Sequence, residues 1–232
     1  MAARPRVLAI DGPAASGKSS TAAAVARELG LLHVDSGALY RALALVGLEA
    51  GETRDGEAIV QAAEARGLTL RPDGGTVEVL LDGRPAEDRI RSEAVTAAVS
   101  PVSAIPRVRE WVNTRLRRLE EHGRGLVMDG RDIGTAVFPD APCKVYLDAR
   151  PDVRARRRLE QWGRSPAPDD VAAEASRIEA RDRADRSRAV APLRRADDAV
   201  VLDTSTLGFG QQVAAIVELA RAAGLSRGPE RR

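Results

Sequence analysis

Gly12-Pro13-Ala14-Ala15-Ser16-Gly17-Lys18-Ser19 spells G-x-x-x-x-G-K-S, the P-loop pattern, and the rest of the chain is read outward from it. Gly12 and Gly17 are expected to let the backbone turn tightly and approach a phosphate, where a Cβ would block contact. The loop N–H groups then face phosphate oxygens at the start of a helix, whose dipole favours negative charge. In this pattern the lysine, here Lys18, reaches the β- and γ-phosphates, and the Ser19 hydroxyl is placed for Mg²⁺. The pattern carries meaning only between a strand and a helix. Arg6 to Ile10 is a short apolar run suited to a buried parallel strand, and the Ala- and Leu-rich segment Ser20 to Leu29 ends at Gly30. Of 36 basic residues only Lys18 and Lys144 are lysine, so a chain that uses arginine almost everywhere has lysine at the P-loop position.

A length of 232 residues suits one α/β domain, with room for a small insertion. Hydrophobic content of 44% supports a core, which at 3% aromatic residues must be aliphatic. Cys143 is the sole cysteine, so no internal disulfide forms, as in a reducing cytoplasm. No early apolar run is long enough for a signal peptide or a membrane span. A net charge of +2 argues against bulk nucleic-acid binding and leaves room for a local basic site. The expected protein is therefore a cytoplasmic monomer with no nucleic-acid or membrane partner.

Further strands are predicted at Leu31 to Val34, Leu126 to Asp129, Lys144 to Asp148 and Val200 to Asp203. Asp35 or Ser36 caps a helix through Leu48, which places Arg41 near the carboxyl end of a strand, where open α/β sheets bind ligands. His33 is expected to pack beside its strand. Between Leu68 and Ile90 the periodicity changes to short strands split by Asp73-Gly74-Gly75 and Asp82-Gly83, which are hairpin signals. Arg84 to Ile90 is taken as the last of them. A helix from Ser92 breaks at Ser100-Pro101, and Pro106 opens the next.

Asp129 ends a core strand, where P-loop enzymes keep a second Mg²⁺ anchor. The turn Gly130-Arg131-Asp132 leaves that same strand end. Pro151 to Trp162 carries Arg154, Arg156, Arg157 and Arg158, most of them read as a solvated basic face. Asp169 is expected to cap a helix from Val171 to about Arg188. That helix would set Arg181, Asp185 and Arg188 on one face. Such an interrupted, arginine-flanked hairpin suits a lid over phosphates. The predicted class is α/β, a three-layer P-loop kinase fold. It would have a five-stranded parallel sheet, an inserted small antiparallel-sheet substrate-binding region (about 67–103) and a short helical lid (about 154–188). Residues 1–225 would form one domain and 226–232 a disordered tail.

The segments Asp35 to Arg41, Pro106 to Arg109, Asp129 to Thr135 with Val137-Phe138-Pro139, and Arg186 to Leu193 together resemble the bacterial cytidylate kinases, over about Val7 to Leu219. The resemblance implies transfer of the γ-phosphoryl group of MgATP to CMP and dCMP, in pyrimidine nucleotide metabolism. It implies that Arg41, Arg131 and Arg188 hold the acceptor phosphate. Ser100, Arg109 and Asp132 would read cytosine with Ser36 nearby, and Arg181 and Asp185 would face the ribose. ATP would lie on Gly12 to Ser20, with Arg157 and Arg158 from the lid, and Mg²⁺ on Ser19 and Asp129. Lys18, Arg131 and Arg188 would carry catalysis. A kinase for another small acceptor and a non-catalytic nucleotide switch are the rival readings. The first would want a base such as Asp35 and leaves the arginine clamp unexplained. The second would want an Asn-Lys-x-Asp motif or a basic aromatic surface, and the sequence has neither.

Overall fold

The structure, a computed structural model, describes residues 5–163 and 167–226. In chain order it runs β1 (Val7–Asp11), α1 (Lys18–Leu29), β2 (Leu32–Asp35), α2 (Ser36–Ala50), α3 (Gly56–Ala65), β3 (Thr69–Asp73), β4 (Thr76–Leu81), β5 (Arg84–Pro85), α4 (Glu87–Ile90), α5 (Glu93–Val102) and α6 (Pro106–Arg118). A 3-10 turn, Leu119–His122, leads into β6 (Leu126–Gly130) and a π-helical turn, Ile133–Val137. The chain then forms β7 (Cys143–Asp148), α7 (Pro151–Gln161), α8 (Pro168–Arg186), β8 (Val200–Asp203) and α9 (Phe209–Ala222).

Strands β2, β6, β1, β7 and β8 lie side by side and parallel, with the P-loop leaving the central one. Each residue of β1 is buried, because helices cover both faces of the sheet. The strand's two-residue period sorts its side chains. Val7 and Ala9 join the larger core under α2, α3, α5 and α6, while Leu8 and Ile10 join the smaller core under α1 and α9. A third apolar cluster lies inside the α7–α8 hairpin and includes Ala14 of the P-loop.

The antiparallel strands β3, β4 and β5 continue the same sheet, since β4 meets β2 at the pair His33 and Thr76. Asp82 and Gly83 both have positive φ, the requirement of a two-residue hairpin turn. The strand expected over Arg84 to Ile90 stops after Pro85 and gives way to α4, whose Ile90 is buried. The break expected at Ser100-Pro101 does not occur. Pro101 sits in the last turn of α5, which runs on to Val102 because Val95, Val99 and Val102 form one buried stripe. Pro168, not Asp169, sets the start of α8, since its fixed φ suits the first helical position. That helix closes at Arg186, so Arg188 lies just beyond it. Of the Gly163 to Pro168 break, residues 164–166 lie outside the described residues. So do 227–232 of the expected tail, whereas the Ser226 carbonyl accepts from Arg6.

Candidate active site

The P-loop crosses the carboxyl end of the central strand beside a cavity of about 360 Å³. Ala14, Ala15, Ser16, Gly17, Lys18, Ser19 and Ser20 line it; Gly12 and Pro13 do not. Gly12 sits back from this wall, against β7. A Cβ there would lie 2.1 Å from the Leu147 carbonyl oxygen, so its bareness serves packing against β7. Gly17, with φ +85°, turns the chain into α1. Lys18 is buried, and its ammonium donates to the Pro13 carbonyl (2.6 Å) and to Ser16 Oγ (3.2 Å). Burial first, then Arg131, pushes its pKa well below the ordinary lysine value.

Ser19 Oγ donates to Asp129 Oδ2 at 2.6 Å, which joins the start of α1 to the end of β6. Ser36 Oγ donates to the Asp129 carbonyl at 2.7 Å. His33 does more than pack beside its strand, since its Nε2 lies 2.9 Å from Asp129 Oδ1. Asp35 caps α2 through the Ala38 N–H. Burial and then the neighbouring Asp129 raise its pKa, against Arg91 at 3.2 Å.

Across the cavity the buried Asp185 carboxylate gathers its neighbours. Arg131 Nε donates to one oxygen at 3.1 Å, while Arg188 and Ser100 (3.2 Å) donate to the other. Ser100 thus supports Asp185 from outside the cavity, whose wall carries Ser103 instead. Arg188 also donates to Ser103 Oγ at 2.8 Å. Arg109, only 2% exposed, donates to the Ser103 carbonyl at 2.9 Å and to Asp132 Oδ2, and its guanidinium lies 5.3 Å from the Tyr40 ring centroid. Arg41 donates to Thr96 Oγ1 at 2.9 Å. Burial and then Arg131 lower the Arg181 pKa to about 10.

The hairpin arginines divide. Arg158 lines the cavity, with Nε 3.2 Å from the buried Glu174 and its guanidinium 4.8 Å from the Trp162 ring centroid. Arg157 turns away and donates to the Thr204 carbonyl (2.7 Å) and Oγ1 (3.1 Å), so it is not in the lining. Arg154 is buried, which corrects its placement on a solvated face.

Asp11, which ends β1, was not singled out from the sequence. Its two oxygens accept from the N–H groups of Ile133 (2.8 Å) and Gly134 (2.7 Å), and so pin the turn that carries Arg131 and Asp132. A carboxylate directly before a phosphate-binding loop would repel the ligand unless it faced elsewhere, and that is the available sequence signal. Burial raises its pKa from the ordinary 3.8 to about 7; the two N–H donors lower it by less. Carbon-13 NMR on the ligand-free protein should show the Asp11 carboxyl titrating near pH 7. A midpoint in the ordinary carboxylate range would refute this. The folded value lies above the unfolded one. The stability tied to this proton is therefore full below about pH 4 and lost as pH rises through about 7.

Eight cationic side chains line the cavity against four carboxylates, those of Asp35, Asp129, Asp132 and Asp185, among the described residues. The Nε atoms of Arg109, Arg181 and Arg188 and the Tyr40 hydroxyl are buried with no hydrogen-bond partner among the described residues. Buried donors in native proteins are nearly always paired, so a group of them around one cavity marks where a ligand's acceptors belong.

The family model for cytidylate kinase matches residues 8–222. The chain belongs to the cytidylate kinase family. Its activity is accordingly that of a nucleoside monophosphate kinase, a phosphotransferase. Cytidylate kinase of Rhodococcus opacus (strain B4) is 44% identical over 204 residues, covering 88% of this chain and 89% of the relative. That of Salinibacter ruber (strain DSM 13855 / M31) is 43% identical over 226 residues, covering 93% and 97%. That of Geobacillus kaustophilus (strain HTA426) is 44% identical over 213 residues, covering 91% and 95%.

The fold of this family member also brings residues into the cavity that sequence reasoning passed over. Tyr40 and Arg91 are two of them, joined by Thr96 and Ser103 from or beside α5. Tyr40 stands next to Arg41 in the segment from Asp35 to Arg41, so its neighbour was the available signal. Arg91 and Thr96 lie in the inserted region, where side-chain direction depends on how α4 and α5 lean on α2.

Proposed function

We propose that the chain transfers the γ-phosphoryl group of ATP to CMP, and to dCMP, yielding ADP with CDP or dCDP. The observation that carries this is the cavity itself: an excess of cations and three unpartnered guanidinium nitrogens opposite a P-loop. Two polyanions must meet in line, and fixed positive charge offsets their repulsion and positions them. The acceptor is a phosphate with a second pKa near 6, as for phosphoserine, so it is already anionic and needs no general base. Arg41, Arg131 and Arg188 hold that phosphate, for which the guanidinium fork is suited. Arg181 and Asp185 face the ribose. Asp132 and Arg109 read the base, with Ser103 on the cavity wall and Ser100 bound to Asp185.

Mg²⁺ fits Ser19 and Asp129. A hydroxyl and a carboxylate 2.6 Å apart are hard oxygen donors, and a magnesium ion held partly by substrate phosphates needs only one or two from protein. When bound, the ion neutralises charge on the β- and γ-phosphate oxygens. Lys18 then exchanges its loop carbonyl for phosphate, and Arg158 adds charge from the hairpin. We place the protein in the cytoplasm as a monomer, without nucleic-acid or membrane partners.

A panel of acceptors with ATP tests the assignment. CMP and dCMP should be turned over fastest, UMP more slowly, and AMP and simple hydroxyl compounds negligibly; preference for a hydroxyl compound would overturn it. Removing Arg41, Arg131 or Arg188 should each cost the CMP reaction about 2 kcal/mol, near 30-fold in kcat/KM. The KM for ATP should move much less. If ATP alone lost affinity, these arginines would belong to the donor side.

A further inference from the structure

Asp182 is 1% exposed and follows Arg181 on α8, but it turns toward the P-loop instead of the cavity. Its Oδ1 accepts from the Ala14 N–H at 2.7 Å, and its Oδ2 pairs with Arg154 at 2.6 Å. Arg154, from α7, also donates to the Ala14 carbonyl at 2.8 Å and to the Ala149 carbonyl at 2.9 Å. Both backbone groups of one loop residue are thus held by side chains from the hairpin. The Ala14 side chain also packs into the hairpin's apolar cluster with Ala155, Leu159, Val171 and Ile178.

The N–H and C=O of a trans peptide point in opposite directions, so holding one of them aims the other. When Asp182 grips the Ala14 N–H, the Pro13 carbonyl is turned the other way, and it lies 2.6 Å from the Lys18 ammonium. When Arg154 grips the Ala14 carbonyl, the next N–H, that of Ala15, faces away from Arg154. Ala15 lines the cavity with φ +58°, a left-handed backbone that alanine keeps only where its surroundings impose it.

We propose that Asp182 and Arg154 are positioning residues for the donor nucleotide. They orient the two peptide planes of the loop that seat Lys18 and direct the Ala15 N–H at the donor's phosphates. Held from the same hairpin that carries the acceptor-side residues Arg181 and Asp185, the donor cradle is registered against the acceptor. This rests on the assignment of the P-loop to ATP.

The test is binding of ATP and of CMP, each alone, by calorimetric titration of wild type, Asp182→Asn, Arg154→Lys and the double variant. Asparagine has one acceptor oxygen where the carboxylate has two, so it cannot serve Ala14 and Arg154 together. Lysine lacks the fork that reaches two carbonyls and a carboxylate. Each single variant should weaken ATP binding about tenfold or more, the loss expected for one buried charged hydrogen bond. CMP binding should stay within about twofold. The double variant should be little worse than either single one, because both act on the same residue. Equal loss of ATP and CMP affinity would mean that α8 had merely shifted, and would overturn the proposal. So would unchanged ATP affinity, additive losses, or failure of both single variants to fold. Wild-type protein that binds no ATP would refute the donor-site assignment itself, a result separate from any behaviour of the variants.

Discussion

Lys18→Ala is expected to lower kcat by at least ~100-fold while the protein stays folded, because it removes a charge that faces developing negative charge in a water-poor site. The ammonium is buried among Arg131 and the carboxylates of Asp129, Asp182 and Asp11, and burial has already lowered its pKa. The ammonium's direct contacts, the Pro13 carbonyl and Ser16 Oγ, are neutral, so a triphosphate supplies a negative partner at contact distance and the charge is worth more with substrate than without. The wild-type contacts to the Pro13 carbonyl and Ser16 Oγ also hold the loop to itself, so some loss of ATP affinity should accompany the loss of turnover. Arginine should not rescue the function, since a guanidinium does not fit a pocket shaped for one compact ammonium. Near-normal turnover in folded Lys18→Ala protein would remove the P-loop from the mechanism.

The second large effect is expected at Asp132, where removal to alanine is the wrong probe. Asp132 and Arg109 form a buried pair, and leaving Arg109 uncompensated costs about 3–5 kcal/mol in stability, whatever the substrate. Asp132→Asn keeps the shape and one oxygen for Arg109, but turns an N–H donor toward the base. In the proposed base pocket the carboxylate would accept from the cytosine N4 amino group; an amide N–H would oppose that donor and suit the O4 of uracil. A buried polar mismatch is worth about 1–3 kcal/mol, so CMP kcat/KM should fall by one to two powers of ten. UMP should fall less or gain, and the CMP-to-UMP ratio should narrow. A competing role, in which Asp132 only orients Arg131, predicts an unchanged ratio. Arg131 takes its side-chain contact from Asp185, and Asp132 is engaged with Arg109.

The parts of the fold legible in the sequence are those with local physical signatures. The apolar run into Gly12 marked a strand buried on both faces, and the Asp-Gly turns marked the hairpins. The resemblance put Arg41, Arg131 and Arg188 on the acceptor phosphate and Asp185 on the ribose, and the fold brings Arg131 and Arg188 onto the Asp185 carboxylate. Burial was what could not be read. Arg154 stands in a run with Arg156, Arg157 and Arg158, and only contact with Asp182 and two carbonyls distinguishes it from its neighbours. Ser100 and Ser103 lie one helical turn apart, so the wall position depended on α5 continuing through Pro101, a local rule overridden by the valine stripe. His33 looked apolar in context because its neighbours on β2 are, yet the register of β2 with β6 carries its ring to Asp129.

In the proposed acceptor pocket, Asp185 is a built-in competitor for the arginines. Inorganic phosphate or sulfate arriving at Arg131 and Arg188 must displace the Asp185 carboxylate, which the last turn of α8 holds between them at a high effective concentration. A bare anion has nothing to offer the displaced group in return. A nucleotide does, because its sugar hydroxyl can donate to the freed carboxylate while the phosphate takes the arginines. With the proposed roles the pocket would work as an exchange site that small cellular anions occupy poorly, open to a ligand carrying an acid and a hydroxyl at the right separation.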